Sequence, residues 1–367
     1  MAPLSFAVVG CGRIAGHHAD HLADLPRARL AAVCDLQPER AEAYARKHGV
    51  PAYTNYHEML RREQIDVVNI LTPSGMHPEH ALDAMERYGK HVILEKPMAL
   101  AWEDVQTLRR TAERAGVKIF PVYQNRYNKA VRKVRAALAS GELGRPVLGT
   151  VRVRWCRPQA YYRRDPWRGT WAMDGGALTN QGIHYIDLVR YIVGDIDAVN
   201  ARTATQLVDI EVEDTAVATI RFASGALGVI EVTTAARPDD FEASISVLAE
   251  RGTAVLQGIA ANELAVFTPA PDERALHSEI FPNAYGLGHR PFLLDVVADL
   301  LDGRPHPISF EEGTQALRLL NAIYRSAEDG REVRLAEDVA SRRLGRKDDR
   351  LAALYRVSPP AAGEGGR

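Results

Sequence analysis

The sequence predicts an α/β protein in two parts, an N-terminal doubly wound parallel sheet and a C-terminal α+β domain with a large, mostly antiparallel sheet. Three observations carry this expectation. Through residue 124, short apolar strands alternate with helical segments across brief connections, the pattern of a parallel sheet covered on both faces. Beyond about Pro146 the strands show period-two alternation and are separated by turns such as Ala223-Ser224-Gly225 and Glu250-Arg251-Gly252. The length, 367 residues, suffices for two ordinary domains with separate cores. The divisions expected are 1–124, 125–340 and an arginine-rich, solvated tail over 341–367.

Composition narrows the classes of function. The chain is 46% hydrophobic and 25% charged with a formal net charge of -1, so it presents no long-range field for nucleic acid or an anionic membrane. No apolar run approaches the roughly 20 residues that span a bilayer. The start, Met1 to Ser5, runs directly into a strand and does not read as a signal peptide. Cys11, Cys34 and Cys156 are too few and too scattered for a disulfide framework or a thiolate metal site. A cytoplasmic protein without metal is expected.

In the first half, the strand 6–9 ends in Gly10-Cys11-Gly12-Arg13-Ile14-Ala15 and leads into a helix carrying His17, His18 and His21. In Gly-x-Gly-x-x-Ala the first glycine makes the tight turn, the second lets backbone approach a pyrophosphate, and the small third residue allows close helix packing. Phosphates then meet the positive end of the helix. A second apolar strand, 30–34, delivers Asp35, about 20 residues on, where a carboxylate accepts from the adenosine ribose hydroxyls. No cation follows immediately, which favours NAD over NADP, with Arg40 the residue against that choice. The N-terminal sheet is therefore expected to be a Rossmann domain. A helix over 38–48, stopped by Gly49, and a short strand near Tyr53 come next. The strand 66–71 opens into Thr72-Pro73-Ser74-Gly75-Met76-His77-Pro78, and a helix follows to Tyr88. The strand 91–94 then delivers Glu95-Lys96-Pro97 at its carboxyl end, where open sheets meet their ligands, and the proline holds Lys96 in extended geometry. A helix over 102–115 and a strand over 118–122 complete the sheet, and Gln124 leaves it.

In the second half, a helix over 128–139 precedes strands expected at 147–155, 199–207, 214–222, 226–234, 243–249 and 253–257, with closing helices at 290–301 and 310–329. The segment 157–171 holds four arginines and four aromatics in 15 residues, too polar for a core but suited to forking onto phosphate or carboxylate and stacking on a ring. An oligomer interface favours the same residue types. On the following helix Asn180 and His184 are four apart and expected to share a face, with Gln181 beside them and Asp187 beyond.

With the glycine loop, Asp35, Thr-Pro-Ser-Gly-Met-His and Glu-Lys-Pro in register, residues 5 to 335 resemble the Gfo/Idh/MocA oxidoreductases. The resemblance implies NAD held by Gly10, Gly12, Arg13, Ile14, Asp35, Thr72, Pro73, Ser74, His77, Glu95, Lys96, Gln124 and Trp167. It implies a lysine, Lys96, touching the hydroxyl that is oxidised, and an acid/base histidine in Asp-x-x-x-His-x-x-Asp, which His184 and Asp187 fit. Asn180 departs from that motif where inositol dehydrogenases have Asp, and it speaks against a simple polyol. It further implies a homodimer or homotetramer through the second sheet.

Within the family, Trp167-Arg168-Gly169-Thr170-Trp171, Gly175-Gly176-Ala177-Leu178, Asn180-Gln181 with His184-Tyr185, and Glu211 to Ala216 resemble the UDP-N-acetylglucosaminuronate 3-dehydrogenases of surface-polysaccharide synthesis. The expected substrate is a UDP-linked N-acetyl uronic acid oxidised at C3. Its anions and ring would meet Arg157, Tyr161, Arg163, Trp167, Arg168, Asn180 and Gln181, with Tyr285 and His289 as weaker candidates. His184 is preferred as proton acceptor and Lys96 as its electrostatic partner, an order open to exchange. A ketoreductase, an NAD-dependent glycosidase and a non-catalytic dinucleotide sensor stay open as alternatives.

Overall fold

The computed structural model describes residues 2–359 other than 282, 284 and 338. Six parallel strands, β1 (Leu4–Val9), β2 (Ala28–Cys34), β3 (Ala52–Tyr53), β4 (Val67–Ile70), β5 (His91–Leu94) and β6 (Ile119–Pro121), lie in the order β3-β2-β1-β4-β5-β6. The order reverses between β1 and β4, so a ligand crevice opens at their carboxyl ends. β1 and β5 read as near-continuous apolar runs because helices cover both faces of this sheet.

The second sheet has eight strands: β7 (Pro146–Arg154), β8 (Ile196–Ala204), β9 (Thr215–Phe222), β10 (Leu227–Thr233), β11 (Glu242–Ala249), β12 (Gly252–Gln257), β13 (Glu263–Phe267) and β14 (Val333–Arg334). They lie in the order β13-β12-β11-β7-β10-β9-β8-β14, with β7 and β10 parallel and the other neighbours antiparallel. Alternate residues of β9, Ala216, Ala218, Ile220 and Phe222, are buried, and the helices Phe310–Asp329 and Ile183–Val193 pack on the same sheet at β8 and at β7. The register puts Val217, Leu227, Val229 and Leu248 together on the opposite face, and all four are exposed.

Three expectations need correction. The helix His289–Asp302, expected to close the second domain, leans on the first: Asp302 pairs with Arg27 at 2.8 Å and Asp299 with Lys118. Through Leu178–Gly182 the chain is π-helical before the α-helix at Ile183, so the four-residue spacing of Asn180 and His184 does not by itself set a common face. The tail is not simply solvated. Leu344 and Ala352 are buried, Leu351 and Tyr355 pack with Met76, Met173 and Trp167, and Arg356 pairs with Glu79 at 2.9 Å. The apolar residues interspersed among its charges make this contact; residues 360–367 lie outside the described residues.

Two buried polar nodes fix the second domain beneath the site. Arg126 donates through Nε to Asp187 Oδ2 at 2.8 Å and through Nη2 to Asp187 Oδ1 at 2.5 Å, and through Nη1 to Glu312 at 3.1 Å. Glu213 Oε1 accepts from Leu178 N at 3.0 Å and Tyr324 Oη at 2.9 Å, while its Oε2 has no partner among the described residues. Burial pushes the Glu213 carboxyl up to about 7 against the hydrogen bond from Leu178.

Removing one member of a buried ion pair strands the other, so Asp187→Ala is expected to cost about 3–5 kcal/mol in urea unfolding. A loss below about 1 kcal/mol would mean that Glu312 alone satisfies Arg126. Glu213, whose folded value is raised, contributes stability that is complete below its unfolded value of 4.5 and lost as pH climbs to about 7. Glu213→Gln should therefore gain on the parent protein by roughly 2–3 kcal/mol between pH 5 and 8, with parallel urea midpoints across that range counting against it.

Candidate active site

At the β1 exit, Gly10 takes φ +99 with its N–H on Cys34 O at 2.8 Å, and a Cβ there would lie 2.7 Å from Leu71 O. Gly12 has nothing within 4 Å of a built Cβ, so its backbone faces the open space that a pyrophosphate needs. Asp35 accepts from Cys11 N through Oδ2 and from Gln37 N through Oδ1, each at 2.8 Å. Two of its roughly four lone-pair positions stay open for ribose hydroxyls. Arg13 and Arg40 are exposed, and Ile14 packs on the core. These residues fit a dinucleotide.

The β4 and β5 exits are cross-linked by buried histidines. His77 places Nδ1 2.8 Å from Pro97 O and Nε2 2.8 Å from Thr72 O. Expected on the cofactor, it is instead a clasp between two loops, with no nitrogen left for a ligand. Thr72 Oγ1 meets His80 Nδ1 at 3.0 Å, and Pro73 and Ser74 lead into the next helix. Glu95 is buried with His18 Nε2 at 3.0 Å and His289 Nε2 at 3.7 Å, while His18 Nδ1 lies 3.1 Å from Asn69 Oδ1. Burial would raise the Glu95 carboxyl, but the neighbouring imidazoles hold it well below the usual carboxylate range. His18, Glu95 and His289 bring ligating atoms within 4.8 Å of one another. His289, expected on the substrate, is thus wholly buried behind Glu95, with burial first among the causes that push it down to about 4. Tyr285 stays at the mouth, its ring 4.7 Å from that of His17. Gln124 is buried with Oε1 unpartnered among the described residues.

Lys96 crosses the domain boundary. Its Nζ donates to Asn180 O at 3.0 Å in the π-helical turn. Burial lowers its pKa from 10.5, opposed by Glu95 and Asp174. His184, just beyond the turn, has a buried Nδ1 without a partner among the described residues, and burial and then the Lys96 charge push it down to about 3. Lys96 thus meets the turn that precedes His184, near enough for its charge to act on that imidazole.

The arginine segment forms the adjoining wall. Arg168 donates through Nε to Asp165 at 3.0 Å and through Nη1 to Tyr161 Oη at 2.6 Å, and lies over the rings of Tyr161 and Trp167. Gln181 Nε2 reaches the same Tyr161 Oη at 3.3 Å. Arg157 pairs with Asp240 at 2.8 Å and lies over Trp155. Arg163 is exposed and takes no part in this network. The wall is pinned to the first domain where Gly75 N donates to Met173 O at 3.0 Å; a side chain on Gly75 would strike Ala172 O.

The sequence reading missed three participants: Asp174, buried and bonded to Asn180 Nδ2, and His18 and Asn69 behind Glu95. For Asp174 the available signal was position, an acid directly before Gly175-Gly176 and six residues ahead of Asn180. His18 offered none beyond its place on the helix after the glycine loop.

Comparison with known proteins agrees with this geometry. Residues 4–123 match the oxidoreductase family with NAD-binding Rossmann fold, and residues 131–255 match the GFO/IDH/MocA C-terminal domain. The WlbA dehydrogenase of Bordetella pertussis, solved in complex with NADH and UDP-GlcNAcA, is 38% identical with a TM-score of 0.86, over 91% of this chain and 98% of that one. Its counterpart from Chromobacterium violaceum, with the same two ligands, is 37% identical with a TM-score of 0.83, over 91% and 96%. The myo-inositol 2-dehydrogenase of Thermotoga maritima is 29% identical over 342 residues, 91% of this chain and 99% of its own. No helix among the described residues is long and apolar enough to cross a membrane. Matched in both halves, the chain belongs to the Gfo/Idh/MocA oxidoreductases, as an NAD-dependent dehydrogenase of that family.

Proposed function

We propose that this protein oxidises the C3 hydroxyl of UDP-N-acetylglucosaminuronic acid to the 3-keto sugar, in the cytoplasm, on the way to a surface polysaccharide. The observation that carries the reading is the convergence of Lys96, the Asn180–His184 turn and the Tyr161–Arg168–Gln181 wall. A carbinol at Lys96 would have its anionic substituents within reach of guanidinium donors, which suits a substrate bearing a carboxylate and a diphosphate. The UDP-GlcNAcA complexes of the two WlbA dehydrogenases support the same choice. Asn180, in place of the family's Asp, weighs against inositol. The exposed face of Val217, Leu227, Val229 and Leu248 is the surface we assign to self-association as a dimer or tetramer.

Gly10, Gly12 and Asp35 would hold NAD, which would supply the acceptor for the hydride leaving C3. The protein's share is to position O3 and remove its proton. His184 is neutral at any physiological pH and, as a base held at about 3, is a poor final holder of that proton. Burial lowers Lys96 from 10.5, which favours its free amine, the form that can accept a proton. Lys96 therefore takes the O3 proton, and His184 orients the hydroxyl, the reverse of the order preferred from sequence.

Because the base must be unprotonated, kcat/KM for NADH formation should rise with pH through a midpoint below 10.5. Lys96→Met is expected to bind NAD normally by calorimetry while turnover falls at least about 100-fold. UDP-N-acetylglucosaminuronic acid should outperform UDP-glucuronic acid and myo-inositol as substrate. Near-normal turnover by Lys96→Met, or preference for myo-inositol, would overturn the proposal.

A further inference from the structure

Asp174 is a carboxylate with no place yet in the chemistry. It is 2% exposed; Oδ2 accepts from Gly169 N at 2.7 Å and Oδ1 accepts from Asn180 Nδ2. The same Asn180 receives the Lys96 ammonium on its carbonyl at 3.0 Å. Asn180 thus links a buried acid on its side chain to the Lys96 ammonium on its backbone.

We propose that Asp174 is a positioning residue of the active site, supplying from behind Asn180 the negative charge that answers the Lys96 ammonium and fixing the Asn180 amide. The inference rests on the reading that Lys96 meets the reacting hydroxyl. A buried ammonium without a counter-charge is costly, and the only acid beside Lys96 in its own strand, Glu95, already receives His18 and the Lys96 N–H. Around Lys96 the other charged or titratable groups among the described residues are Arg168, His184, His77 and Asp174. Asp174 in turn faces Arg168, Lys96, Tyr161, Tyr162 and Glu213. Burial raises its carboxyl to about 7, opposed by the Gly169 hydrogen bond.

The hydrogen-bond geometry supplies its own test. Asp174→Asn alone removes the charge and sets an amide donor against either Gly169 N or Asn180 Nδ2. The exchange Asp174→Asn with Asn180→Asp restores both bonds: Asn at 174 accepts from Gly169 N through its oxygen and donates to the acid at 180. Titration of Lys96 in the cofactor-free protein, by NMR of ¹³C-labelled lysine assigned with Lys96→Met, should show a midpoint about one pH unit lower in Asp174→Asn and restored in the exchanged pair. The rising limb of kcat/KM should move with it. A uniform loss of rate with an unmoved Lys96 midpoint would make Asp174 merely structural and overturn the inference. If Asp174→Asn does not fold, the exchanged pair decides by itself: a midpoint displaced by a full unit or more refutes the exchange. An active Lys96→Met would instead refute the functional reading, whatever the Asp174 result.

Discussion

An ammonium on the end of β5 has to be held between two domains without losing its chemistry, and much of the structure answers that constraint. Left in an apolar cleft, Lys96 would shed its proton or its position. It is met by a carbonyl of the opposite domain at 3.0 Å, in the one turn of that helix where bonding widens to the π pattern. Single widened turns recur at functional sites because they break the regular side-chain period where a ligand must be reached. The turn is itself secured from below by Glu213 on Leu178 N and by Thr179 on Tyr324 at 2.9 Å. The turn that receives Lys96 therefore stands on the second domain, with the lysine reaching it from the first.

In the arginine wall the cations are held in fixed positions by their neighbours. Each guanidinium has five N–H donors in a fixed fork. Arg168 spends Nε on Asp165 and Nη1 on Tyr161, which fixes its plane and leaves donors in the same plane for a ligand. Arg157 is fixed in the same way by Asp240 and the ring of Trp155. Side chains already ordered in the free protein lose little entropy on binding. The Gly75–Met173 bond and the packing of the C-terminal segment on Met76 and Met173 extend that order to the whole segment.

The parallel sheet was legible because its strands are buried on both faces and its loops carry glycine, proline and acid at meaningful positions. Strand and helix limits there follow the expected ones within a few residues; the helix 38–48 coincides. β13 and β14 were missed, being short and lacking a clean alternation at the sheet edges. The packing of Leu351 and Tyr355 on the first domain was hidden because a dense run of charge masks sparse apolar residues in any composition-based reading. For the site, the residues at strand ends were readable, since the fold rule says where strands point. His77, His289 and Asp174 have roles set by partners distant along the chain or brought near by a turn, Pro97 for His77, Glu95 for His289 and Asn180 for Asp174, and one-dimensional spacing carries no record of that. Histidines in particular look alike in sequence whether they clasp carbonyls, back a carboxylate or face a substrate.

Charge also explains why Glu95 and Lys96 are adjacent yet do different work. Their side chains leave the strand end on opposite sides, and Glu95 turns inward to His18 and His289 while Lys96 turns to the cleft. Had the two paired directly at short range, the carboxylate would have locked the ammonium in its charged form. Occupying Glu95 with imidazoles keeps it ionised and at a distance, where it tempers the lysine's loss of basicity without cancelling it. Burial alone would release the proton too readily and a direct salt bridge would hold it too tightly. The balance is obtained by giving each member of the pair a different partner, so that burial lowers the lysine while a carboxylate engaged elsewhere opposes the shift.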